Sequence, residues 1–318
     1  GMGGISIPER GIEIKAENFL STVEEGTDEE GRAYMDLIMR GFIQRLTQPF
    51  GQEDMVRLAI ATDRVLREHQ LLIYEDDPVA QASIQRLGWA GELREEHSDY
   101  LYVADSNIGW NKVDRNIQRA ISYRVALNPL GSSTASLTLR YANRGEAPTL
   151  DCERQWSPLE EIHDYHQLKN GCYWNYVRAY VPEGSKLMGS DSMDLPEGSV
   201  AARSGPRQAG SSSIDEGNAY GKDLFGALLR TPAGETQRVT FVYELPPRVL
   251  HKESDAYDYR LMLQPQTGAR GRDTTVVIHL PDGYEVESVS TQGLVDLGEE
   301  SVSFAFQLLE NAIIEIRM

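Results

Sequence analysis

The hydrophobic period of this chain changes once, and that change limits the folds open to it. Up to about residue 97, apolar residues recur at steps of three and four; from Asp99 onward they recur at steps of two. The first spacing lines one face of a helix and the second lines one face of a strand. Tyr34, Leu37, Ile38, Phe42 and Leu46 predict a helix over 29–48, ended by Pro49 and Gly51. Met55, Leu58, Ala59, Thr62 and Leu66 predict another over 52–69, and a shorter one is expected over 16–25. Asp77-Pro78 is an N-cap followed by proline at the first helical position, and Gly88 is a stop, which predicts a helix over 78–87. Between the last two, Leu71-Leu72-Ile73-Tyr74 reads as a short buried strand.

Beyond Asp99 the strands are short and separated by turn signals. Ile121, Tyr123, Val125 and Leu127 alternate with Ser122 and Arg124; after Asn128-Pro129-Leu130-Gly131, Leu137, Leu139 and Tyr141 alternate with Thr138 and Arg140. That is a hairpin with one wet face. Further strands are expected over 173–181, 225–231 and 239–245, with a long mobile loop over 189–221, where Ser, Gly, Asp and Pro dominate. Pro246-Pro247 closes this set. Tyr257, Tyr259, Leu261 and Leu263, then Val276, Ile278 and Leu280, begin a second one. The expected fold class is α+β: an N-terminal helical segment (1–97), then antiparallel immunoglobulin-like β-sandwich units, a larger one over 98–250 and a small C-terminal one over 251–318.

A chain of 318 residues can bury a core without staples. Its net charge of −18 argues against coating nucleic acid or an anionic membrane. No apolar run approaches the ~18 residues of a membrane span, so no direct membrane insertion is expected, and the first four residues lack the features of a signal peptide. There is no Gly-x-Ser-x-Gly elbow, Walker loop or dinucleotide fingerprint, so neither a catalytic residue nor a cofactor is assigned.

The densest polar run is Asp105-Ser106-Asn107-Ile108-Gly109-Trp110-Asn111-Lys112-Val113-Asp114-Arg115. Alternate oxygens suggest a calcium loop, but Gly109 and Trp110 stand where an oxygen donor and a glycine are needed. Two other readings stay open: Asx side chains bonding nearby backbone, or a binding surface of Asp105, Asn107, Asn111, Lys112 and Arg115 facing an anionic ligand. Ser157 and Glu160 form a capping box that puts His163 and His166 on one helix face; without an evident third ligand this predicts no metal. Tyr173, Trp174, Tyr176 and Tyr180 could stack on sugar, but large residues on both faces of a strand mark a central strand between layers.

Several of these segments, taken together, resemble a known family. Leu71-Leu72-Ile73-Tyr74, Leu87-Gly88-Trp89-Ala90-Gly91, Asp99-Tyr100-Leu101-Tyr102-Val103, Asp105, Asn107, Asn111-Lys112 and Cys172-Tyr173-Trp174-Asn175-Tyr176-Val177-Arg178 resemble the bacterial domain of unknown function 4012 family. The resemblance covers roughly 10–185 and continues more loosely through Tyr257–Arg260 and Leu280-Pro281-Asp282-Gly283. It implies an extracytoplasmic location, tethered by an upstream transmembrane anchor absent from this chain, with no established activity. The expected function is a non-catalytic cell-envelope module, a scaffold, stalk or binding surface whose partner is an envelope protein or glycan. The alternative is part of an enzyme acting on envelope glycopolymers, with its catalytic region upstream. In such a compartment Cys152 and Cys172, the only cysteines, are expected to pair; in a reducing one both would be free thiols.

Overall fold

The computed structural model describes residues 4–15, 17–19, 21–23, 26, 32–47, 51–94, 96–109, 111–146, 168–191, 201–202, 205–206, 214–291 and 293–318. The chain opens with a hairpin of β1 (Ile5–Ile7) and β2 (Ile12–Ile14), turned by Gly11 at φ 63°. Helical residues follow at 19, 21–23 and 26, within the expected 16–25 segment and just beyond it, and then come α1 (Arg32–Thr47), α2 (Gln52–Arg67) and α3 (Pro78–Leu87). Tyr34 and Ile38 of α1 close a small core over Ile7 and Ile14. Asp77 caps α3 by accepting from the amides of Val79 and Ala80, and Gly88 ends it at φ 80°. The expected strand at Leu71–Tyr74 does not form: those residues have no ladder partner. Among the described residues no helix is long and apolar enough to cross a membrane.

Two large sheets build the rest. The first contains β3 (Asp99–Asn107), β6 (Tyr173–Pro182), β10 (Ile214–Ala219), β11 (Lys222–Thr231), β13 (Leu250–Glu253), β14 (Ala256–Gln264), β16 (Ser288–Ser290) and β19 (Ala312–Arg317). Its order is β10-β11-β6-β3-β14-β19-β16, with β13 also on β14. The second contains β4 (Ile117–Ala126), β5 (Thr134–Asn143), β7 (Lys186–Ser190), β12 (Thr236–Glu244), β15 (Arg272–His279), β17 (Leu294–Leu297) and β18 (Ser301–Leu308). Its order is β17-β18-β15-β4-β5-β12-β7. A two-residue pair, β8 (Ala201–Ala202) with β9 (Gly205–Pro206), stands apart.

This corrects the expected fold class. The chain is mostly β, and its sheets are mixed rather than antiparallel: β14 runs parallel to β3, and β15 parallel to β4. Strands from beyond residue 250 therefore lie beside the first strands of each sheet and complete them. One core runs through both layers, with Leu101, Val103, Val177, Ala179, Leu261 and Ile314 meeting Ile121, Tyr123, Leu137, Phe241, Val276 and Phe304. Alternation reveals which face of a strand is buried but not the direction of its neighbour, so it could not show this insertion. Within 189–221, residues 214–219 form β10, paired antiparallel with β11. The remaining expectations over 157–167, including His163 and His166, fall outside the described residues, as does Cys152. Tyr173 and Trp174 are buried on opposite faces of β6, as a central strand requires.

Candidate functional site

On β3, the core-facing positions are Asp99, Leu101, Val103 and Asp105, so an aspartate faces inward at each end of an apolar strand. The same register places Arg119 before Ile121 on β4, Arg272 before Thr274 on β15, Tyr141 after Leu139 on β5, and Asn175 before Val177 on β6. These inward positions share one end of the sandwich, where they form a polar layer around Asp105. Its Oδ2 accepts from Arg119 Nε and Arg272 Nη2, both at 2.8 Å. Its Oδ1 accepts from Tyr141 Oη at 2.6 Å and Asn175 Nδ2 at 2.8 Å. Burial by itself would raise the Asp105 pKa, but the Arg272 and Arg119 guanidiniums and the Tyr141 and Asn175 donors outweigh it and hold the carboxyl below its usual range. Arg119 also donates through Nη2 to Asp114 Oδ1 and, at 3.0 Å, to Tyr173 Oη. Gln266 clamps the β3 backbone: its Oε1 accepts from the Asp105 amide and its Nε2 donates to the Asp105 carbonyl, both at 2.9 Å.

Outside this layer is an open cleft of about 270 Å³, lined by Asp105, Asp114, Arg115, Arg119 and the Gln266–Arg270 turn between β14 and β15. The turn is tied to the end of α2, since the Gly268 amide donates to the His69 carbonyl at 3.0 Å and Gln70 Nε2 to the Ala269 carbonyl at 2.9 Å.

Of the sequence candidates, Asp105 and Arg115 meet at this cleft. Asn107 and Asn111 lie beside it as loop staples. Asn107 Nδ2 donates to Asp114 Oδ2 at 2.8 Å and Asn111 Oδ1 at 2.9 Å, while its Oδ1 accepts from the Gly109 amide. Asn111 Nδ2 donates to the Cys172 carbonyl at 2.7 Å, tying the loop to the start of β6. Lys112 is exposed and does not line the cleft; its amide donates to the Leu168 carbonyl. The oxygens that suggested a calcium loop thus accept from N–H groups. Among the described residues, no three His, Cys, Asp or Glu side chains gather as metal ligands. Arg119, Arg272, Asn175, Tyr141, Gln266 and Arg270 were not among the sequence candidates. For the first four the signal was present: a polar side chain in phase with the buried face of its strand.

Asp99, at the opposite end of β3, has no cation partner among the described residues. Its Oδ2 accepts from Tyr259 Oη at 2.5 Å and Tyr123 Oη at 2.8 Å, and its Oδ1 from the Tyr100 amide at 2.8 Å. Tyr243 Oη donates to Tyr123 Oη at 3.2 Å. Complete burial pushes the Asp99 pKa up to about 6, against the pull of these hydrogen bonds.

No family model matches the chain, and no curated protein matches it. Solved structures that resemble it include an M1 zinc metallopeptidase from Deinococcus radiodurans, at 10% identity and TM-score 0.30, over 64% of this chain and 43% of that one. Two more are a proposed nutrient-binding protein from Legionella pneumophila (11% identity, TM-score 0.33, 63% and 67% of the two chains) and a proposed protease from Parabacteroides distasonis (8%, 0.31, 64% and 40%). The chain thus spans less than half the length of the metallopeptidase. Likenesses this slight carry no argument about function.

Proposed function

We propose that this chain is a non-catalytic, extracytoplasmic module of a membrane-anchored bacterial envelope protein, and that it works as a binding surface. The observation that supports the non-catalytic reading is the state of Asp105. Its two oxygens already accept four side-chain hydrogen bonds, and two guanidiniums keep it ionised. A general acid needs a proton near neutral pH, and a general base or nucleophile needs an open lone pair beside the substrate. Asp105 offers neither, so its layer closes the end of the sandwich and holds the cleft in shape. The location rests on the resemblance to the domain of unknown function 4012 family.

Two measurements test the reading. Protease added to spheroplasts of the source bacterium should digest the full-length protein while cytoplasmic markers survive; protection would refute the location. The purified chain, incubated with envelope glycan and followed by mass spectrometry, should release no fragments. Release that disappears in Asp114→Asn would show an enzyme instead.

A further inference from the structure

We infer that the cleft beside Asp105 recognises the anionic group, carboxylate or phosphate, of a sugar-sized polar ligand. The inference rests on the reading of this face as a binding surface, and on neither the cellular location nor the lack of turnover. Its basis is local charge. Arg115, Arg119 and Arg270 line the cleft and Arg272 stands directly behind Asp105, against two carboxylates, Asp105 and Asp114. With Arg115 left out because it is engaged in an interaction of its own, Arg119, Arg270 and Arg272 stand against these two carboxylates among the described residues, a local surplus of one positive charge in a chain whose net charge is −18. Both carboxylates are already neutralised: Asp105 by Arg119 and Arg272, Asp114 by Arg119 with a further hydrogen bond from Asn107. A bound cation would have to break these contacts, whereas an anion leaves them intact.

The donor that faces solvent is Arg270. It is exposed at the rim, and its Nη1 donates to the Arg115 carbonyl at 3.2 Å. A guanidinium carries five N–H donors in a fixed fork that suits carboxylate and phosphate oxygens, so one anchored N–H orients the rest. Arg119 and Arg272 are held rigidly by their own partners and supply a preorganised field in a concave, partly desolvated site. The size and lining set the rest of the ligand. At about 270 Å³ the cleft is just under the ~300–1,000 Å³ usual for small-molecule sites, which favours a monosaccharide-sized occupant. Among the described residues its wall offers Thr267, Gln266 and turn backbone without a large apolar side chain, which suits hydroxyl-rich ligands better than apolar ones.

The test is calorimetric titration of the purified chain with D-glucuronate, D-glucose 1-phosphate and uncharged D-glucose. At least one charged sugar should saturate at millimolar concentration, more weakly as salt rises, and glucose should not; which charged sugar binds tells carboxylate from phosphate. Arg270→Ala should weaken binding by roughly tenfold or more, a loss of about 1.4 kcal/mol. Because Arg270 is exposed, its removal leaves the fold intact, and an unchanged thermal melt confirms this. Arg260→Ala is the control, since Arg260 pairs with Glu96 and Glu315 elsewhere. No saturation by either charged sugar, equal binding of glucose, or unaltered affinity in Arg270→Ala would each overturn the inference. Glycan turnover would defeat the non-catalytic reading and leave this binding standing; absent binding would do the reverse.

Discussion

Asp99 and Asp105 lie six positions apart on one strand, both facing the core, and their surroundings push their pKa values in opposite directions. For Asp99, whose folded pKa of about 6 exceeds its ordinary 3.8, the folded state binds more protons than the unfolded one between those values. Stability from this group is therefore fully present below about pH 4, falls as pH rises to about 6, and is level above. The total is about 3 kcal/mol. Asp99→Asn should remove this slope: urea melts from pH 4 to 7 should show the variant gaining on the parent by about that amount, and parallel curves would refute it. Asp105 has the opposite sign, with stability present at neutral pH and lost only as acid protonates it below the usual carboxylate range. Arg272→Met should cost about 3–5 kcal/mol at pH 7, because it strips one cation from a buried, ionised pair. A loss under about 1 kcal/mol in the same denaturant melts would show that Arg119 alone suffices.

At the scale of elements, the parts legible in the sequence were those held by local chemistry. Asp77 and Pro78 start α3 and Gly88 stops it where sequence reasoning expected, since a cap satisfies its own helix end. The expected strand at Leu71–Tyr74 fails because a strand is defined by its neighbour, and among the described residues these four have no ladder partner. α2 presents Met55, Val56 and Ile60 to solvent and buries only Leu66 among its residues. Isolated helices of this length are marginal in water. Its amides should exchange with deuterium well before those of β4, β5 and β15; protection equal to these strands would mean an unseen partner covers it. The Cys152–Cys172 bridge remains a proposal, resting on the expected compartment. Alkylating the denatured, unreduced protein should add no label, and two labels after reductant. Two labels without reductant would remove the bridge, and with it about 3 kcal/mol of expected loop constraint.

For the whole molecule, the pairing of β14 with β3 and of β15 with β4 makes the two ends of the β region interdependent. A chain ending at residue 250 would keep β6 beside β3 and β5 beside β4 but lose β14 and β15 from their other sides, stripping Leu261, Ile314, Val276 and Phe304 from the core around Leu101, Val103, Tyr123 and Val125, so it should not fold as the parent does. Circular dichroism and a denaturant melt of 1–250 would check this; a cooperative transition like the parent's would show that the first strands close a core alone. What the sequence by itself determined was the period-two patterning beyond Asp99, the buried faces of β4, β5, β14 and β15, and the caps of α3. These depend on side-chain spacing and short-range hydrogen bonding, which operate within a few residues. It also marked Asp105 and Arg115 as candidates, and left hidden that Arg119, Arg272 and Asn175 would complete their site. Only the tertiary structure decided that, along with the parallel pairings and the cleft. A strand's alternation states which side faces the core and says nothing about which distant strand lies beside it, so groups from β3, β4, β5, β6 and β15 meet only once the register between sheets is set.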